Sequence, residues 1–186
     1  PYAIYGQYVL KLYGLDALNL PSDVRIRGTA IHKALELFEA PGQAKSPEAL
    51  LQLLEQELAS GGEPEAEIIA LRDKRREVAA DYIAWRRDNA HLLEGKAITE
   101  ERGEITLSIA GQDFTLSGTA DRIEKRIGGK AAILDFKSGK PPSEKQVRSG
   151  LSPQMPLQGL IAREGGYAKL GGKTDVEALT YLQLGT

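Results

Sequence analysis

The chain contains no cysteine. That excludes disulfides, thiolate zinc sites, cysteine nucleophiles and cysteine-held iron–sulfur clusters, so no iron–sulfur cluster is expected. Nor does any apolar run approach the roughly 20 residues of a bilayer-spanning helix, and the N-terminus lacks a signal-peptide pattern. An intracellular protein with no membrane partner is the expectation. Charge of one sign is missing too: 24 Lys and Arg stand against 26 Asp and Glu, a formal net charge of −2. Such a balance gives no global attraction to a polyanion. What remains is ordinary for one globular domain: 186 residues, 41% hydrophobic and 27% charged. The chain starts at Pro1 and stops at Thr186, straight after the strand-like run VEALTYLQLG, so a fragment of a larger polypeptide is expected.

The distribution of charge says more than its sum. Between 118 and 150 stand eight bases (Arg122, Lys125, Arg126, Lys130, Lys137, Lys140, Lys145, Arg148) and four acids (Asp121, Glu124, Asp135, Glu144). Residues 48–101 are acidic instead, with thirteen acids and seven bases. A locally positive stretch is what a polyanionic substrate needs.

The first half reads as helical. Residues 2–13 place Tyr5, Tyr8, Val9 and Leu12 on one helical face. A second helix is predicted from about Arg27 to Ala40. A third starts at Ser46-Pro47-Glu48, where a capping serine, a first-turn proline and an early acid coincide, and it ends at Gly61-Gly62. A long fourth helix should run from Glu65 to Asn89, with Ile68, Leu71, Val78, Tyr82 and Trp85 in a stripe and Arg75 at its edge. From about Ile98 the period becomes two, with strands through Ile105–Ile109, Phe114–Leu116, 119–127 and 131–137. Helices follow near 143–149 and 153–164, and a strand near 176–184. Helices, a meander, then a helix and a strand make an α/β or α+β single domain, mainly helical over 1–95 and sheet-containing over 96–186.

The most telling residues are Asp121, Asp135 and Lys137. On a strand, residues two apart share a face, so Asp135 and Lys137 point the same way and Phe136 points the other. Two acids and a lysine on neighbouring strands make a place for a divalent metal, a water and a phosphodiester. Whether Asp121 joins them depends on the hairpin. A two-residue Gly128-Gly129 loop would pair Asp121 with Phe136 and separate the acids. A three-residue loop, Ile127 to Gly129, pairs Arg126 with Lys130 and Asp121 with Asp135. Such loops take a type I turn followed by a left-handed glycine, and this odd-length form is predicted. His32 stands one helical turn after Gly28, either as a core residue or as a ligand. A surface ion pair between Asp135 and Lys137 is the competing explanation of that motif.

Together these segments resemble the RecB-type branch of the PD-(D/E)xK nuclease superfamily. Gly28-x-x-x-His32 looks like its first motif, GTADRIE (118–124) its second, and LDFKSG (134–139) its third. Gln154-Met155-Pro156-Leu157-Gln158 resembles a later Q-L-x-x-Y motif, with Gln158 in place of the tyrosine. The opening PYAIYGQYVLKLYGLDAL is similar to the C-terminal nuclease domain of AddB-like subunits of bacterial AddAB helicase–nucleases. The resemblance implies a restriction-endonuclease-like core, a central mixed β-sheet flanked by helices. It implies that Asp121, Asp135, the carbonyl of Phe136 and a ring nitrogen of His32 bind Mg²⁺, with Mn²⁺ a competent substitute. Lys137 would then hold the attacking water, completing a catalytic set of Asp121, Asp135 and Lys137. Gln154 with Arg122, Lys140 and Arg148 would contact DNA, and Glu101 or Glu104 would supply a further carboxylate. The implied activity is DNA exonuclease action in a bacterial, cytoplasmic helicase–nuclease for double-strand-break repair, with an AddA-like partner subunit. A catalytically silent DNA-binding or scaffolding domain is the alternative, and a hydrolase of small phosphates a weaker third.

Overall fold

Described here are residues 24–40 and 42–184 of a computed structural model. The helix expected at 2–13 lies outside them. Helix α1 (Val24–Glu39) buries Ala30, Ala34, Leu35 and Phe38 along one stripe. Helix α2 (Pro47–Ser60) begins as its sequence demands, with the Ser46 side chain accepting the Ala49 amide at 3.2 Å and Pro47 in the first turn. Its Leu50, Leu51, Leu54 and Leu58 all face inward.

The long fourth helix is two helices. Helix α3 (Glu65–Ala70) and helix α4 (Arg72–Asn89) meet at Leu71, whose φ of −101° and ψ of 8° leave the helical range. The cause is Arg75. Its guanidinium donates to the carbonyl of Ile68 at 3.0 Å and lies 3.7 Å from Glu63, closing the open end of α3. Arg75 is therefore buried, where an edge position was expected.

Four strands form one mixed sheet in the order β1 (Ile98–Ile109), β2 (Gln112–Arg126), β3 (Lys130–Lys137), β4 (Val176–Gln183). The first two pairings are antiparallel, and β3–β4 is parallel. Helices α5 (Glu144–Arg148) and α6 (Gln154–Arg163) lie in the β3–β4 connection. Each face of the sheet carries its own core. On one, Met155 and Ile161 of α6 meet Ile105, Ile123, Ile133 and Tyr167. On the other, Leu35, Phe38, Leu54 and Tyr82 of the N-terminal helices meet Phe136. A strand covered on both sides reads as an unbroken apolar run, which explains why Ala131–Leu134 does not alternate.

The β2–β3 register is the one the site requires. Arg126 pairs with Lys130 and the ladder runs to Arg122↔Leu134, the step before Asp121 and Asp135. The turn itself differs from expectation. The Gly129 amide reaches the Arg126 carbonyl at 3.2 Å, but Gly128 has φ +94° and Gly129 +76°. A positive φ at the second central residue belongs to a type II turn, not type I, and only glycine adopts it freely.

Arg122, expected at the DNA, is instead buried inside the fold. It is 2% exposed, with Nη1 3.0 Å from Glu39 Oε1 and Nε 2.8 Å from Glu124 Oε1. Arg126 and Arg86 extend this buried network at 2.7 and 2.9 Å. Burial alone would raise the Glu39 carboxyl, but Arg122, Arg86 and the Tyr82 hydroxyl outweigh it and hold Glu39 below its ordinary value. Replacing Arg122 by alanine leaves two buried carboxylates short of a cation. Urea unfolding should show a loss of about 3–5 kcal/mol. A carboxyl held low in the folded state stabilises fully above its unfolded value, and that contribution disappears as pH falls through the folded one. Stability should thus decline as pH falls below about 5, and decline less in Glu39→Gln, measured as the urea midpoint against pH.

Candidate active site

The site forms where the C-terminal end of β3 passes between α1 and the start of α6. Helix α1 comes close because Gly28 has no side chain. A Cβ there would lie 3.4 Å from Ser138 Oγ. One turn on, His32 reaches the strand: Nε2 lies 2.9 Å from the Phe136 carbonyl oxygen and Nδ1 3.4 Å from Asp121 Oδ2. Asp121 Oδ2 also accepts the Phe136 amide at 2.8 Å. A side-chain oxygen thus takes the place of a ladder carbonyl, just beyond the last β2–β3 pair. Asp121, His32 and both backbone groups of Phe136 form one connected unit.

Asp135 faces α6. Its Oδ1 accepts from Gln154 Nε2, and its Oδ2 lies 2.7 Å from Lys137 Nζ. Lys137 also donates to Gln154 Oε1 at 3.2 Å. Gln154, exposed at the site, therefore also fixes two site residues. Gln158 is buried, its amide donating to the Thr119 carbonyl at 2.8 Å, so it ties α6 to β2. Lys140 is exposed beside a cleft of about 380 Å³ lined by Gly28, His32, Phe136 and Lys137. Arg148 is exposed, and its ion pair at 2.7 Å is with Glu144 of its own helix.

Neither acid expected from β1 joins the site. Glu101 turns to the α6 side, where it is buried and held by Lys169 at 2.7 Å. Glu104 is exposed, further along that strand. The acid that does arrive is Glu100. The β1–β2 register, with Thr99↔Arg122 and Glu101↔Ala120, sets it opposite Asp121. Regular strand alternation gave no reason to choose it, because its backbone leaves the strand conformation at φ +47°.

The electrostatics are those of a site short of positive charge. Hydrogen bonding to Asp121 raises the proton affinity of His32 against the opposing effect of burial. Burial pushes the Asp135 carboxyl up, and the charge of Asp121 adds to this while Lys137 resists it. Glu100 is pushed up by burial and again by Asp121. A divalent cation at this point would offset the charge that raises Asp135 and Glu100. Among the described residues, His32, Glu100 and Asp121 each offer a ligand atom, all within 4.8 Å of one another. Asp135 Oδ2, nearly inaccessible to solvent, makes no hydrogen bond beyond its ion contact with Lys137. Carboxylates, a nearby carbonyl and one imidazole suit Mg²⁺ or Mn²⁺. No described helix is long and apolar enough to cross a membrane.

A family model described as the PD-(D/E)XK nuclease superfamily matches residues 1–186. An uncharacterized protein of Rickettsia bellii is 31% identical over 174 residues, covering 90% of this chain and 20% of that protein. Another, from Rickettsia typhi, is 29% identical over 178 residues, with the same coverage of 90% and 20%. A third, from Rickettsia conorii, is 43% identical over 70 residues, 38% of this chain and 8% of its own length. The chain thus spans about a fifth of the first two relatives.

Removal of the Gln154 amide should leave the buried Asp135 Oδ1 without its donor. Gln154→Ala is expected to lose about 1–3 kcal/mol in urea unfolding, because its partner Asp135 is buried although Gln154 itself is exposed.

Proposed function

Because the chain belongs to the PD-(D/E)XK nuclease superfamily, we propose that it is the Mg²⁺-dependent deoxyribonuclease domain of a larger helicase–nuclease that processes broken DNA ends. The observation that carries this reading is the convergence of Asp121, Asp135 and Lys137 at one end of the sheet, with His32 against Asp121. Asp121, Asp135, His32 and the Phe136 carbonyl hold the cation. When bound, it acidifies a water and offsets charge on the scissile phosphate. Lys137, held by Asp135 and Gln154, orients the attacking water and faces the negative charge that develops on the phosphate. Water oxygen bonds to phosphorus and releases its proton to solvent, the bond to the leaving sugar oxygen breaks, and that oxygen takes up a proton from solvent.

Strand binding is backbone-directed. Lys140 sits at the cleft beside His32 and Lys137, and Arg148 stands on α5 nearby in sequence. A second cleft of about 210 Å³ runs from Gln154 along Leu116, Leu157 and Ile161, which gives bases an apolar wall. Phosphate contacts position a strand without reading its sequence, so cutting is sequence-neutral. The similarity of the opening residues to AddB-like subunits supports an AddA-like partner that feeds the strand. It also supports a place in bacterial double-strand-break repair, in the cytoplasm.

Digestion of linear single- and double-stranded DNA by the full-length protein with its partner tests this. Wild type should cut only with Mg²⁺ or Mn²⁺. Asp135→Ala and Lys137→Ala should each lose roughly a hundredfold or more in rate. Undiminished cutting by both variants would overturn the assignment.

A further inference from the structure

Glu100 occupies a conformation that nothing else in its surroundings requires. Among the described residues two non-glycine side chains have positive φ, Ala110 at +51° and Glu100 at +47°. Ala110 lies in the tight turn between β1 and β2, where such an angle makes the reversal. Glu100 lies inside β1, where a side chain in the left-handed region clashes with its own backbone. Its carboxylate has no hydrogen bond or ion pair among the described residues.

The distortion has a clear geometric result. On β1, Ile98 packs against the α6-side core, and the next residue turned to that side is Glu101, three positions on. On β2, Ala120 and Ile123, also three apart, both belong to that core. A regular strand repeats every two residues. Both strands therefore slip phase at the same level, between Glu100 and Asp121. The slip leaves these two acids free of the α6 core and brings both within 4.8 Å of His32.

Strain of this kind persists where the surroundings over-determine it, and here protein contacts to the Glu100 side chain do not supply the compensation. We propose that Glu100 is a further protein ligand of the divalent cation, held by a left-handed backbone that destabilises the sheet until the cation binds. The proposal rests on the metal-dependent reading above and adds a residue that the family motifs of this chain do not contain.

Two variants of the full-length protein separate ligand from strain. Glu100→Gln keeps the strained backbone and removes the charge, while Glu100→Gly removes both. Mn²⁺ affinity, read by calorimetry and by the electron paramagnetic resonance of free Mn²⁺, should fall roughly tenfold or more in each. In chelator, Glu100→Gly should unfold at a higher temperature than Glu100→Gln, because only the glycine relaxes at φ +47°. Wild-type Mn²⁺ affinity in Glu100→Gln would overturn the ligand assignment, as would absence of Mn²⁺ binding by the wild type. A Glu100→Gly protein that unfolds at the lower temperature would overturn the strain. If no variant or wild type cuts DNA while Glu100→Gln loses Mn²⁺ affinity, the nuclease reading fails and the ligand assignment stands.

Discussion

Asp121 accepts the backbone amide of Phe136 with a side-chain oxygen, at the level where the β2–β3 ladder has just ended. Without that bond the amide would be a buried donor without a partner, since Phe136 is covered on the helical side. The bond exists only in one register. Shift β3 by one residue and Asp135 turns into the helical core, Phe136 turns out of it, and the Phe136 amide no longer meets Asp121. The three-residue turn at Ile127–Gly129 thus decides more than a local loop. It selects which acids meet, which aromatic is buried and which carbonyl reaches His32.

Phe136 links this polar arrangement to the apolar interior. Its ring makes edge contacts with Tyr82 at 6.0 Å and with His32 at 6.2 Å between centroids. Its amide and carbonyl serve Asp121 and His32. Site geometry is therefore fixed by the packing of α1 and α4 on the sheet. The opposite face contributes through Gln154, on the helix that carries Met155 and Ile161 into the second core. Neither core alone would hold both aspartates. The buried network of Glu39, Arg122, Glu124 and Arg126 lies on the helical side, one residue out of phase with the site strand. It explains why two of the eight bases of the basic stretch, Arg122 and Arg126, are unavailable to a substrate.

Much of this was legible in the sequence. Ser46 and Pro47 announce α2, the glycine pair sets the odd-length hairpin, and strand alternation puts Asp135 with Lys137. These are local rules, each decided by a few neighbouring residues. What was missed depends on contacts distant in sequence. Arg122 reads as a basic residue in a basic stretch until Glu39, a long way up the chain, meets it in the interior. Arg75 breaks the fourth helix because Glu63 and the Ile68 carbonyl lie within its reach. Glu100 is the sharpest case. The resemblance directs attention to Glu101 or Glu104, and a single left-handed residue shifts the phase of the strand and delivers the acid before them.

The residues of the site work against the fold that holds them. Burial favours the neutral form of Asp135, Glu100 is bent out of its strand, and Asp121 repels both. Each group alone would be selected against on stability. The two apolar cores on either side of β3 carry the local loss, and a cation bound there would return part of it. A ligand that binds only the folded state stabilises it by an amount that grows with concentration relative to its dissociation constant. The end of the sheet at Glu100, Asp121 and His32 would then be the part of the molecule whose stability depends most on the cation. The ladder from Arg122 to Arg126 has its own partners across the sheet and its own ion pairs, and it needs none. The boundary between the two regimes falls at a single residue step, from Arg122 to Asp121.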